Sequence, residues 1–111
     1  MGFTYTFADV TPKYDLDFPA DDAPLAEWLA FDLTRGWTHY TADAATAAQE
    51  ALQAAALDSA VAEKLLSEGA TLTPAECKIV AEALRGDTAE HLRYLGDFAA
   101  AAIERGGLLV S

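Results

Sequence analysis

The strict alternation Phe3-Thr4-Tyr5-Thr6-Phe7 constrains this chain more than any other feature. Successive side chains of a strand point to opposite faces, so Phe3, Tyr5 and Phe7 share one face and Thr4 and Thr6 the other. A face made only of aromatics must cover a core. Most of the remaining chain, however, is patterned at helical spacing, so this strand must draw its partners from short segments elsewhere. The runs at 37–41 (WTHYT) and 107–110 are suitable, and Tyr14, Leu16 and Phe18, alternating with Asp15 and Asp17, make 14–18 a candidate edge strand. The expected fold is α+β: a small sheet with strands near 3–7, 37–41 and 107–110, and a candidate edge at 14–18, packed with four or five helices. A mainly α-helical bundle with frayed apolar ends is the competing architecture.

Boundary signals divide the helical part. Asp22 or Ala23 as cap and Pro24 in the first turn open a helix whose apolar stripe is Leu25, Trp28, Leu29 and Leu33, and Gly36 stops it. Thr41 or Asp43 caps the alanine-rich run 42–57, in which Ala44, Ala48, Ala51 and Ala55 form a smooth face and Leu52 and Leu57 are the large anchors. Asp58 or Ser59 starts a shorter helix through Leu65 and Leu66 that Gly69 ends. Thr73-Pro74-Ala75-Glu76 combines a capping box with proline at the first helical position, ahead of a stripe at Cys77, Val80, Ala81 and Leu84 that Gly86 closes. Asp87-Thr88-Ala89-Glu90 reads as a second box, followed by Leu92, Leu95, Ala99 and Ile103, with Tyr94 and Phe98 widening the apolar face. Gly106-Gly107 ends that helix before the strand-like Leu108-Leu109-Val110.

The length, 111 residues, suits one globular domain spanning 1–111 with a core of its own. Cys77 is the single cysteine, which excludes an internal disulfide framework and a cysteine-built zinc site. The opening residues carry neither a basic region nor an apolar run of signal-peptide length, and no window is long enough to span a bilayer, so a cytoplasmic, membrane-free protein is expected. Eighteen acidic against seven basic residues give a net charge of −11, unsuited to direct contact with DNA or RNA phosphates. The same field draws in a basic partner.

The alanine content, 25 of 111 residues, resembles that of proteins from high-GC actinobacteria and their phages. The closing run Gly96-Asp97-Phe98-Ala99-Ala100 through Gly106-Gly107-Leu108-Leu109-Val110 is similar to the ends of small proteins from such genomes. In those proteins a helix carrying a Phe-Ala pair runs into a double glycine and a final strand. The resemblance spans about fifteen residues and implies no activity or catalytic residue.

Two groups of residues are candidates for function. Residues 14–34 hold no lysine or arginine and six acids, Asp15, Asp17, Asp21, Asp22, Glu27 and Asp32. On one surface they would form a negative patch interleaved with Tyr14, Phe18 and Trp28, although burial statistics favour the core for Phe18 and Trp28. The aspartates lack the calcium-loop pattern: residue 19 is proline and no glutamate stands at the twelfth position. No metal or cofactor is expected. The second group is Arg35, Trp37, His39 and Tyr40, where Arg35 could anchor an anion and His39 act as acid or base if the side chains border one pocket. Alternation there puts Trp37 and His39 on one face, read as the core side, and Thr38 and Tyr40 on the other.

Cys77 lies on a buried stripe and the three serines lack a nucleophile-elbow setting, so no catalytic constellation is expected. The leading expectation is a non-enzymatic acidic module that binds a basic protein surface, of the kind that phage or mobile-element inhibitors or immunity-type proteins present. A small-molecule or enzymatic site at Arg35/Trp37/His39/Tyr40 is the alternative. A homo-oligomeric structural role, such as a homodimer, through the alanine face of 42–57 is the third reading.

Overall fold

Phe3-Thr4-Tyr5-Thr6-Phe7 lies within the strand β1, Gly2–Phe7, at the centre of the sheet. The computed structural model describes residues 2–55 and 59–111. After β1 come α1 (Leu25–Arg35), β2 (Trp37–Thr41), α2 (Ala42–Ala55), α3 (Ser59–Lys64), β3 (Thr71–Leu72), α4 (Pro74–Leu84), α5 (Glu90–Ala102), a 3-10 turn at Ile103–Arg105 and β4 (Leu108–Val110). The fold is α+β, and the all-helical alternative is excluded. The four strands run in the order β2-β1-β4-β3, antiparallel throughout.

Register decides what each face holds. Tyr5 stands opposite Thr38 and Val110, and Phe7 opposite Leu108, which in turn faces Leu72. All six are buried, and this is the face the helices cover. Phe7 stacks on Phe98 of α5 with ring centroids 4.5 Å apart, and Tyr5 meets Tyr40 edge-on at 6.0 Å. The Tyr5 hydroxyl is not left unpaired: it donates to the Leu65 carbonyl at 2.8 Å. The opposite face carries Thr4, Thr6, Trp37, His39, Leu109 and Thr71, none fully buried.

This register reverses the expectation for β2. Thr6 pairs with Trp37 and Thr4 with His39, so Trp37 and His39 share the outer face with the threonines. Thr38 and Tyr40 are the core-facing pair. Alternation establishes which residues share a face, but only pairing says which face is inside.

Local signals agree better with the structure. Gly36 ends α1 in the left-handed conformation, φ 87°, its N–H bonded to the Asp32 carbonyl at 2.8 Å. The Thr41 hydroxyl accepts from the Ala44 N–H at 3.2 Å and opens α2. Thr73 and Glu76 form the reciprocal capping box of α4, whose buried stripe is the expected Cys77, Val80, Ala81 and Leu84. Several expectations need correction. Residues 14–18 form no strand: residues 14–19 make no backbone–backbone hydrogen bond with the described residues, and their side chains rest on α1 and Trp37 instead. Leu25 is exposed, and the most buried residues of α1 are Asp32 and Arg35 rather than an apolar stripe. In α2 the buried line is Ala45, Ala48 and Leu52, with Ala55 exposed; Leu57 and Asp58 lie outside the described residues. The Asp87 side chain accepts from the Ala89 N–H at 2.9 Å, a local turn in place of a second capping box. The two-residue β3 exists only through its pairing with β4.

Glu76 links the α4 cap to the end of α3. Its carboxylate accepts from the Thr73 N–H at 2.9 Å and from Lys64 Nζ at 2.7 and 2.9 Å. Partial burial raises its pKa, but the Lys64 ammonium and the Thr73 hydrogen bonds outweigh this and hold it below its ordinary 4.5. A lowered folded-state pKa stabilises the fold fully above the unfolded value and loses that effect as pH falls through the folded one. Glu76→Gln keeps the capping geometry and removes the charge, so it should cost about 0.5–1 kcal/mol at pH 7. Urea unfolding of both proteins at pH 7 and at pH 3 should show that difference shrink at the lower pH.

Candidate functional site

The segment between β1 and α1 runs past the start of β2 and is pinned by four hydrogen bonds, the first from the Ala8 N–H to the Gly107 carbonyl at 3.0 Å. The Asp9 N–H donates to the Arg105 carbonyl at 3.0 Å, the Lys13 N–H donates to the Arg35 carbonyl at 2.9 Å, and Trp37 Nε1 donates to the Lys13 carbonyl at 2.8 Å. Beyond Lys13 the chain is held by rings. Tyr14 lies against Trp37, centroids 5.7 Å apart, and Phe18 against Phe31 at 5.3 Å and Trp28 at 6.4 Å. These contacts leave both residues largely in water: Tyr14 remains 77% exposed and Phe18 67%. Burial statistics mislead for Phe18, while Trp28 is half-buried.

Beneath the rings lies a buried charge cluster. Arg35, 7% exposed, stacks its guanidinium 3.6 Å from the Trp37 ring centroid, with Phe31 at 4.6 Å and Phe18 at 5.8 Å. Its Nε donates to the Trp37 carbonyl at 3.0 Å, and its Nη2 lies 2.7 Å from Asp32 Oδ1. Among the described residues that oxygen has no directed hydrogen bond, and its partner is the guanidinium charge itself. The second Asp32 oxygen accepts from the Tyr94 hydroxyl of α5. Burial, this hydrogen bond and the carboxylate charge push the Tyr94 phenol upward, so it stays protonated and acts as a donor.

The six acidic candidates therefore separate. Asp15, Asp17, Asp21, Asp22 and Glu27 are exposed. Asp32 is 3% exposed and belongs to the interior, held there by Arg35 and Tyr94. Asp21, Asp22 and Glu27 flank the N-terminal end of α1, where negative charge favours the helix dipole. Asp15 and Asp17 have no such role and make no ion pair or hydrogen bond with the described residues.

The four residues of the second group do not converge. Arg35 and Trp37 border a crevice of about 10 Å³ with Lys13, Tyr14, Phe18 and Phe31, room for one water and not for a substrate. His39 points from the outer sheet face, its Nδ1 3.2 Å from the Thr4 hydroxyl. Tyr40 is buried on the opposite face and donates to the His91 carbonyl. Tyr40 thus lies on the far side of the sheet from Trp37 and His39, so the four side chains expected to border one pocket do not share a face. An open trough of about 510 Å³ lies between Thr6, Leu109 and the 8–12 turn, with Asp9 on its wall. Cys77 is fully buried, and burial together with the Glu76 charge pushes its thiol up to about 12, leaving it unionised at neutral pH. Among the described residues no group of three His, Cys, Asp or Glu side chains is placed to hold a metal ion, and no helix is long and apolar enough to cross a membrane.

Sequence reasoning does not single out Phe31, Lys13 or Tyr94 as members of this region. Phe31 stands four residues before Arg35 on α1, a spacing that puts the two side chains together, and Asp32 stands three before it. Nothing local ties Tyr94 to Asp32, 62 residues away.

Fold and surface together define a small α+β domain with helices on one sheet face and an exposed aromatic ridge beside α1. Comparison with protein-family models, curated proteins and solved structures returns no match.

Proposed function

We propose that the protein is a non-catalytic interaction module whose ridge at Tyr14 and Phe18, set among Asp15, Asp17 and Glu27, binds a basic protein surface. The observation that carries this reading is the exposure of the two rings, 77% and 67%, in a stretch where every exposed charged side chain from 14 to 34 is acidic. Large apolar side chains left in water beside unpaired carboxylates are a feature of interfaces, where an aromatic anchor supplies affinity and charge steers encounter. An inhibitor or immunity-type protein would use such a surface. Self-association through α2 is less well supported, because Ala45, Ala48 and Leu52 already pack in the protein's own core.

Tyr14→Ser combined with Phe18→Ser should lower the unfolding midpoint modestly, because Phe18 covers Arg35, Phe31 and Trp28, and should weaken partner binding roughly thirtyfold or more, since anchors of this type typically carry about 2 kcal/mol or more. Affinity capture with wild type and variant, repeated across a salt series, checks both parts. A partner retained equally by the two proteins, or one insensitive to salt, would overturn the reading.

A further inference from the structure

We propose that this ridge selects arginine: the partner's guanidinium groups stack on the open faces of Tyr14 and Phe18 and pair with the carboxylates of Asp15 and Asp17. The inference rests on the interaction-module reading above and specifies its partner chemistry. The protein already contains one instance of the contact. Arg35 is held between Trp37 at 3.6 Å and Phe31 at 4.6 Å, with the inner side of Phe18 at 5.8 Å. That guanidinium is neutralised by Asp32 at 2.7 Å, so it leaves the rings apolar without making the site cationic.

The outer faces of Phe18 and Tyr14 are open to solvent, and the carboxylates of Asp15 and Asp17 adjoin them along the chain. A guanidinium is planar, weakly hydrated and able to engage a ring and a carboxylate at once, whereas an ammonium is a strongly hydrated point charge. Lys13 is exposed and borders the same crevice, and the exposed Asp15 and Asp17 outnumber its charge along this stretch.

The test is a titration of the full-length protein with oligoarginine and with oligolysine of equal length, followed by side-chain NMR and repeated at rising salt. The expected result is about fivefold tighter binding of the arginine peptide, the scale of a cation–π contact at an exposed site. Tyr14 and Phe18 ring resonances should shift on binding. In Tyr14→Ser with Phe18→Ser, whose charge is unchanged, the two peptides should bind equally; an unperturbed amide spectrum for the helices shows that the variant is folded. Equal, salt-sensitive binding of both peptides to wild type would overturn arginine selection and leave the acidic-module reading standing. A preference that survives in the double variant would also overturn it, by placing the guanidinium elsewhere. Failure of both peptides to bind at low salt would overturn both, and failure of the arginine peptide alone would overturn arginine selection.

Discussion

Asp32→Ala is expected to destabilise the protein by about 3–5 kcal/mol, the cost of leaving a buried charge without its partner. Arg35 is 7% exposed, and its guanidinium lies against Trp37, Phe31 and Phe18 beside a crevice with room for one water, so bulk solvent cannot take over the role of the lost carboxylate. The Tyr94 hydroxyl loses its acceptor in the same step. A domain of this size has about 5–15 kcal/mol in total, so the variant should unfold at far lower denaturant, with the change visible in urea melts. The pair itself need not be favourable over apolar side chains. Asp32→Leu combined with Arg35→Met removes both charges and should be clearly more stable than Asp32→Ala, because no uncompensated ion remains. If the single replacement costs less than about 1 kcal/mol, the cluster is hydrated, and it does not fix α1 against α5.

Gly107→Ala should cost about 3 kcal/mol or more, for two separable reasons. Gly107 has φ 96°, where a side chain strains the backbone, and a Cβ there would lie 2.0 Å from the Leu72 carbonyl oxygen. That oxygen belongs to the backbone of β3, so relief requires β3 and β4 to move apart rather than a side chain to turn. Gly69 supplies the control. It has φ 86° but nothing within 4 Å of an added Cβ, so Gly69→Ala should show the conformational cost alone, about 1 kcal/mol. Thermal melts of both variants separate strain from collision; equal losses would mean that β3 shifts freely.

How much of the structure is legible in the sequence depends on the range of the interaction concerned. The Thr73–Glu76 box, the Gly36 stop and the Thr41 cap each involve groups within four residues of one another, and each can be read directly from the chain. The aromatic face of β1 is legible because alternation is a property of one strand. The face of β2 is not, since Trp37 is the larger and more apolar choice for a core, yet register with Thr6 puts it outside and leaves Thr38 buried. Charge content locates the acidic surface, and five of its six residues are exposed. Asp32 departs from the group through contacts with Arg35 and Tyr94, of which only the first is local.

Propensity, capping and charge act over a few residues, and so the α+β class, most helix boundaries and the acidic character of residues 14–34 are already written in the chain. Three outcomes required the assembled fold: which face of β2 is inside, the joint burial of Arg35 and Asp32, and the placement of Tyr14 and Phe18 in water. Each depends on strand register or on contacts between segments far apart in the chain, which no local propensity encodes.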